Sequence, residues 1–595
     1  MLLQKRGMAP RGYLTHAVLG PAIWIVLLFV FSLLHVLTKP TLLVAAASTI
    51  GLAVLAGRPK NGWPRFFWVS RPVLSGLGWL ALDLSILGTL LLCFFNSLHP
   101  LPAWDADTYH LTLPRLYLAN HGFRDVPWSV YAFWPRNIDL LYALPLAIGN
   151  HVTAASVHFA FVILTLGVIK RLSASAGTWR AGAIGAALFL ANPIVQFESS
   201  VAYVDIAFAF FMAAAFAFAI ASLDSASHKS FHVLMCGVSS GLLAGVKLTG
   251  FVGAGLIGAL LVFEGRRRGD RAWLRTAALF LGPVLLLGLP WFLLTWLSTG
   301  NPVYPFCWGT FGGPYWNDTL TAHLVAWNSR IGMGREVSDW LLLPVRVFLD
   351  SGNDYRHFDG RLSPIWVGLI PLAGLAAIRQ PLVKRCVLVA GGYFVFWAIS
   401  SQQARLLIPA LPILATASAV ALFRFVEMIK NATLRRTVWT VVPVVAAALL
   451  FSSGGEERTR ARRLFSNIGI SGASLPEAAV PEIFRIIDTL PENARILFLN
   501  TNRGFFCHRE FVADSFFEAS QINELWFKGR PLPEIVSLLE QERITHVLLF
   551  VVDAGIKYPL AVGRLFEDGR YVRPVANLER ERMILYELVP AEAQP

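Results

Sequence analysis

Apolar residues fill long runs in this chain, at roughly 15–37, 40–57, 73–97, 151–169, 181–197, 203–222, 276–298, 363–379, 385–401, 405–424 and 437–453. A helix needs about 20 such residues to cross a hydrocarbon core of ~30 Å, so each run predicts a helix in lipid. The run 231–264 is long for one helix and tight for two. Polar positions collect between the runs, most extensively at 98–150 and 299–362. After residue 454 the pattern shortens to that of a soluble α/β module. R-I-L-F-L-N at 495–500 and I-T-H-V-L-L-F at 544–550 predict buried strands, 533–542 a helix with proline near its start, and 582–588 a last strand.

Composition agrees with a membrane setting. Of 595 residues 55% are apolar and 15% charged, where soluble domains carry roughly 25% charge. Mean hydropathy is +0.56. The net charge of +14 is therefore no nucleic-acid signal. Its lysines and arginines sit in short loops between apolar runs, where they encode orientation.

Those clusters decide the ambiguous run. They are the N-terminus, Arg58/Lys60/Arg65/Arg71, Lys170/Arg171/Arg180, Arg266/Arg267/Arg268, Arg379/Lys384/Arg385 and Arg424/Lys430/Arg435/Arg436. Successive cytoplasmic clusters are an even number of crossings apart, so 231–264 must turn back near Lys247. The expected architecture is a polytopic α-helical bundle of about 13 transmembrane helices with a C-terminal soluble α/β domain. Residues 1–454 form the membrane domain with outer loops 98–150 and 299–362, and 455–595 an accessory domain. The N-terminus is cytoplasmic and the C-terminal domain extracytoplasmic. Lys5, Arg6 and Arg11 precede an apolar run without a small-residue cleavage site, as in an uncleaved anchor. The five cysteines show no metal-ligand spacing; Cys93, Cys236 and Cys386 are expected in the core, while Cys307 and Cys507 are candidates to face an oxidising compartment, with nothing in the sequence to show that they pair.

Candidate chemistry gathers at the outer ends of the predicted spans. W-D-A-D-T-Y-H at 104–110 follows a span directly and places Asp105, Asp107, Tyr109 and His110 at the bilayer edge. A carboxylate there can take a proton from an attacking hydroxyl or amine, or help hold a divalent metal; the plainer reading is a helix N-cap ahead of a run at 109–120. Asp205, in A-Y-V-D-I-A-F, is expected to face a cavity or a partner, since an acid in lipid costs about 2.5–3.5 kcal/mol; the plainer reading is an interfacial cap. Lys247, in G-V-K-L-T-G, suits a phosphate oxygen or a snorkelling anchor. Arg405 opens a span and can pair with an anion or simply anchor it. Tyr304, in G-N-P-V-Y-P-F, belongs to a ring-rich loop fit for a sugar, a prenyl chain or an interfacial belt. Arg115, Arg136 and Asp139 are further polar residues of the first loop.

Taken in order, W-D-A-D-T-Y-H-L-T-L-P-R, P-R-N-I-D-L-L-Y, A-Y-V-D-I-A-F, G-V-K-L-T-G, G-N-P-V-Y-P-F and Q-A-R-L-L-I-P-A-L-P resemble the bacterial GT-C membrane glycosyltransferases. That group is related to protein O-mannosyltransferases and lipid A aminoarabinose transferases, and the resemblance spans about residues 70–425. It implies a polyprenyl-phosphate sugar as donor, an envelope lipid, glycan or protein as acceptor, and transfer on the outer face of the bacterial inner membrane. It implies a catalytic acid at Asp105, a second at Asp205 and a phosphate-side cation at Lys247. Many relatives carry an adjacent Asp-Glu pair, whereas here Ala106 follows Asp105 and the next acid is Asp107. Both aspartates therefore stand as candidates for the base. The resemblance leaves metal dependence open. Rivals from other classes are a lipid or glycan flippase and a non-catalytic envelope-assembly protein.

Overall fold

The computed structural model describes residues 12–55, 76–98, 103–174, 179–224, 228–269, 272–471, 480–514, 520–551, 558–567 and 569–589. The basic positions Lys5, Arg6, Arg11, Arg58, Lys60, Arg65 and Arg71 lie outside them. Packing divides the chain into two compact units. One comprises 1–100, 135–290 and 330–471; the other comprises 101–134, 291–329 and 472–595.

The first unit is helical, and over the described residues the predicted apolar runs fall largely on helix. Eight helices among the described residues are long and apolar enough to cross a membrane: Tyr13–Leu33, Leu77–Ser97, His151–Ala174, Asp205–Asp224, Trp273–Thr299, Pro381–Ile399, Ala404–Glu427 and Ala432–Ser453. Shorter or less apolar helices of this unit include Lys39–Leu55, Asn137–Ile148, Trp179–Leu190, Lys229–Ala244, Gly250–Arg267 and Trp366–Ala377. The run at 181–197 is cut by Pro193, which opens a separate short helix, Pro193–Glu198. Asn192 sits at that break. Its Nδ2 donates to the carbonyls of Leu188 and Phe189, and its Oδ1 accepts from Ser363 N–H and from Trp366 Nε1. One side chain thus satisfies carbonyls that a broken helix leaves without donors.

Asp205–Asp224 is the centre of this unit. Its alternating alanines and phenylalanines are buried almost all round, as expected of a helix with no polar face. Lys229–Ala244, His151–Ala174 and Gly250–Arg267 pack against it. Close approach elsewhere comes from glycines four residues apart. A Cβ on Gly237 would lie 2.5 Å from the Phe280 carbonyl oxygen, and one on Gly241 would lie 2.5 Å from that of Pro283. This small-xxx-small spacing lets two backbones meet where lipid supplies no hydrophobic drive.

The run 231–264 is two helices, with the break at 245–249 around Lys247. Asn137, at the start of the helix Asn137–Ile148, closes the break. Its N–H donates to the Gly245 carbonyl at 2.8 Å and its Nδ2 to that of Leu242 at 3.1 Å. A Cβ on Gly245 would stand 2.1 Å from Asn137 Nδ2. Gly245→Ala should therefore destabilise the unit by about 1–3 kcal/mol, as overpacking does. Unfolding in detergent micelles checks it; wild-type stability would show that Asn137 yields freely.

The helix Gly455–Ser471 follows the last long apolar helix and belongs to this first unit. Buried Glu457 accepts from Asn96 Nδ2 at 2.6 Å, and Arg460 donates to the Ser200 hydroxyl at 2.6 Å.

The second unit is built on a five-stranded sheet: β1 Arg495–Leu499, β2 Glu510–Ala513, β3 His546–Phe550, β4 Val572–Leu578 and β5 Met583–Leu588, in the order β2-β1-β3-β5-β4. β1 is parallel to both β2 and β3, while β5 is antiparallel to β3 and β4. The helix Leu532–Gln541 leads into β3, as its periodicity predicts. Two strands escape sequence reading. β2 has only four residues, and β4 carries Pro574 with a register shift at 574–576, the mark of an edge strand. Leu497, Leu499, Val512, Ile535, Leu539 and Val547 are core residues, and Trp128 from the first polar loop packs against that core. Its ring centroid lies 5.1 Å from that of Phe511 on β2.

Candidate functional site

In the second unit the D-x-D segment opens a helical turn at Trp104 that widens into a π-turn, Ala106–His110, before the helix Thr112–Ala119. Such a bulge re-aims side chains, and it is common at functional sites. Asp105 stands at its head and makes no capping hydrogen bond, so the N-cap reading of this residue falls away. The residue is half-buried, and its carboxylate accepts from Tyr109 Oη at 3.0 Å. Tyr109 is in turn stacked on Tyr131, with centroids 4.1 Å apart and planes 7° apart. The buried His110 ring lies 4.1 Å from that of Tyr109.

Asp107 is held quite differently. It is 4% exposed, and its Oδ2 accepts from Arg503 Nη2 at 2.6 Å. Burial pushes its pKa up to about 6, with the Arg503 charge and hydrogen bond opposing. Its carbonyl takes the Thr112 hydroxyl at 2.5 Å and the Phe505 N–H at 3.1 Å. Two neighbours also reach the loop after β1: Thr108 Oγ1 donates to Asn502 Oδ1 at 3.0 Å, and Arg115 Nη2 to the Gly504 carbonyl at 3.1 Å. The Arg503 guanidinium lies 5.7 Å from the Trp104 ring centroid. Arg503 is the residue that sequence reading missed. The signal for it was its place just past a predicted buried strand, since α/β sheets put working groups at the carboxyl ends of their strands.

Tyr304 is fully buried in the same unit. Its hydroxyl donates to the Pro314 carbonyl at 2.6 Å, its carbonyl accepts from Trp134 Nε1 at 3.2 Å, and its ring meets Phe133 edge-on at 5.0 Å. Tyr304 is thus packed into the ring-rich loop, with its hydroxyl and its carbonyl both engaged. Cys307 and Cys507 are both free thiols.

In the helical unit, Asp205 begins the central helix, and Lys247 is carried by the break that packs on it. Lys247 Nζ lies 2.7 Å from Asp205 Oδ1, and the side chains are 20% and 1% exposed. The N-terminal end of the helix dipole favours the carboxylate as well. Neither a bare cap nor a bare snorkel describes this pair. Arg405 lies over the Tyr203 ring at 5.6 Å, two residues before Asp205. Tyr142, whose hydroxyl donates to the Tyr203 carbonyl, also feels the carboxylates of Asp139, Glu198 and Asp205. Asp205 and Lys247 are thus paired within this unit, with Arg405 against Tyr203, nearby in sequence to Asp205, while Asp105, Asp107, Tyr109 and His110 share one turn of the other. Among the described residues, no group of three or more His, Cys, Asp or Glu could hold a metal ion.

Three comparisons with solved structures follow from this architecture. ArnT from Cupriavidus metallidurans bound to undecaprenyl phosphate superposes with a TM-score of 0.54, at 15% identity, over 87% of this chain and 99% of that one. The fold is that of the GT-C membrane glycosyltransferases. The apo form of the same enzyme gives the same TM-score of 0.54 at 16% identity. The mycobacterial arabinofuranosyltransferase AftD gives 0.52 at 14% identity, over 86% of this chain and 40% of that one. No protein-family model matches the sequence, and no curated protein does. At such identities the GT-C likeness speaks for fold; chemistry has to be argued from the side chains.

Proposed function

We propose that this protein is a membrane glycosyltransferase that moves a sugar from a polyprenyl-phosphate donor to an envelope lipid, glycan or protein on the outer face of the bacterial inner membrane. The N-terminus is then cytoplasmic and the C-terminal α/β segment extracytoplasmic. The observation that carries the reading is the division of labour in W-D-A-D: Asp107 is buried and paired with Arg503, while Asp105 is a half-buried residue whose carboxylate accepts from Tyr109 Oη. The solved ArnT complex holds undecaprenyl phosphate, which supports a lipid phosphate as the donor's leaving group.

In the proposed reaction Asp105 accepts the proton of an acceptor hydroxyl or amine. The acceptor atom bonds to the anomeric carbon as the bond from that carbon to the phosphate oxygen breaks. The electron pair leaves with the lipid phosphate, and the anomeric centre inverts. A single base suffices, whereas retention would need a second carboxylate as nucleophile. Lys247, held by Asp205, and Arg405 are assigned to the charge that grows on the phosphate.

The test is mass spectrometry of envelope lipids and glycans from cells with and without the protein, followed by transfer from the undecaprenyl-phosphate ester of the sugar so found. Loss of one sugar from one acceptor, restored by purified protein, is the expected result. An unchanged envelope, or binding of that ester without turnover, would sink the reading.

A further inference from the structure

The loop that follows β1 does more than close the sheet. It lies where the chain turns from β1 to β2 on one side and later returns as β3 on the other, the switch point at which α/β sheets place ligands and working groups. From it, Asn502, Arg503, Gly504 and Phe505 all reach the segment 107–115: an ion pair, a side-chain hydrogen bond and two bonds to backbone groups. Four consecutive residues meeting one segment make a clamp, and a clamp needs no cation unless it has a charge to hold.

We infer that Arg503 is a positioning residue for the D-x-D segment, binding Asp107 so that the carboxylate of Asp105 stays directed to substrate. This rests on the glycosyltransferase reading. Among the described residues, the charged group that meets Asp107 from the packed loop is Arg503; Asp105, Tyr109 and His110 share its own turn. Without the guanidinium, Asp107 is a buried carboxylate with no cation. It then either takes a proton or drags the turn toward water. Either response shifts Asp105, and a misplacement of about 1 Å costs on the order of 10²-fold in rate.

The experiment uses the full-length protein in nanodiscs and the undecaprenyl-phosphate ester identified from the envelope comparison. Arg503→Gln should lower kcat by about 10²-fold with KM little changed. The acid limb of its pH profile should move to higher pH, because Arg503 opposes protonation of Asp107. Arg503→Lys should recover part of the loss, since it keeps the charge but not the fork. The double variant Arg503→Gln with Asp107→Asn should recover at least about tenfold over Arg503→Gln alone, because no uncompensated charge remains.

Three results would overturn the inference: an unmoved kcat and acid limb in Arg503→Gln; low yield with full activity in the folded fraction; or a double variant no more active than Arg503→Gln, with folded Asp107→Asn alone equally inactive, which would put Asp107 itself on substrate. If Arg503→Gln does not fold, Arg503→Lys and the double variant decide. Failure of the function is separable: it shows as full transfer by Asp105→Asn or as an unchanged envelope, whatever Arg503 does.

Discussion

Replacing Asp105 by asparagine should lower sugar transfer by about 10²–10⁴-fold, the usual contribution of a positioned base. Asparagine fills nearly the same volume and can still accept the Tyr109 hydroxyl at the position now 3.0 Å from Oδ2. The π-turn should therefore persist, with Tyr109 still stacked on Tyr131. What is lost is the basic oxygen. The fall should appear in kcat rather than in KM, since the group acts only as the proton moves. Asp107→Asn predicts a different outcome. It leaves the Arg503 guanidinium beside a neutral amide, so its main effect is on the stability of the loop after β1. Transfer rates and unfolding curves for both variants check the pair of predictions. A fully active Asp105→Asn would end the assignment of the base.

The second large effect concerns stability. Lys247→Met leaves the carboxylate of Asp205, 1% exposed, without its ammonium and should cost about 3–5 kcal/mol. Asp205→Asn should cost less. Lys247 is 20% exposed, and its flexible stem can carry the charge toward water. The double replacement should be milder than Lys247→Met alone, because no buried charge is then left over. Reversible unfolding in mixed micelles measures all three. Equal small losses in the two single variants would show that water already reaches both groups. Under the proposed reaction, transfer by the double variant should still fall, since the cation proposed for the phosphate side is gone while the fold is kept.

Much of the architecture is readable in the residues. Long apolar runs become helices because in lipid a backbone must satisfy its own polar groups. The even count of crossings between basic loops finds the break at Lys247, which the helices Lys229–Ala244 and Gly250–Arg267 bracket. Alternation and length find β1, β3 and β5, but not β2, with four residues, or β4, interrupted by Pro574. Tyr304 shows the limit of composition: a ring-rich loop suits a sugar, yet this ring is buried edge-on against Phe133, with its hydroxyl bonded to the Pro314 carbonyl.

From its sequence alone the protein has its spans, its module of strands and the identity of its acids at helix ends. Hydropathy and period express what each segment needs from its surroundings, one segment at a time. Tertiary structure decides which charge meets which. Asp107 and Arg503 are 396 residues apart, and Asp205 and Lys247 are 42 apart. An ion pair has no period and leaves no run; it exists only once folding has brought its two ends within a few ångströms, where burial makes each indispensable to the other.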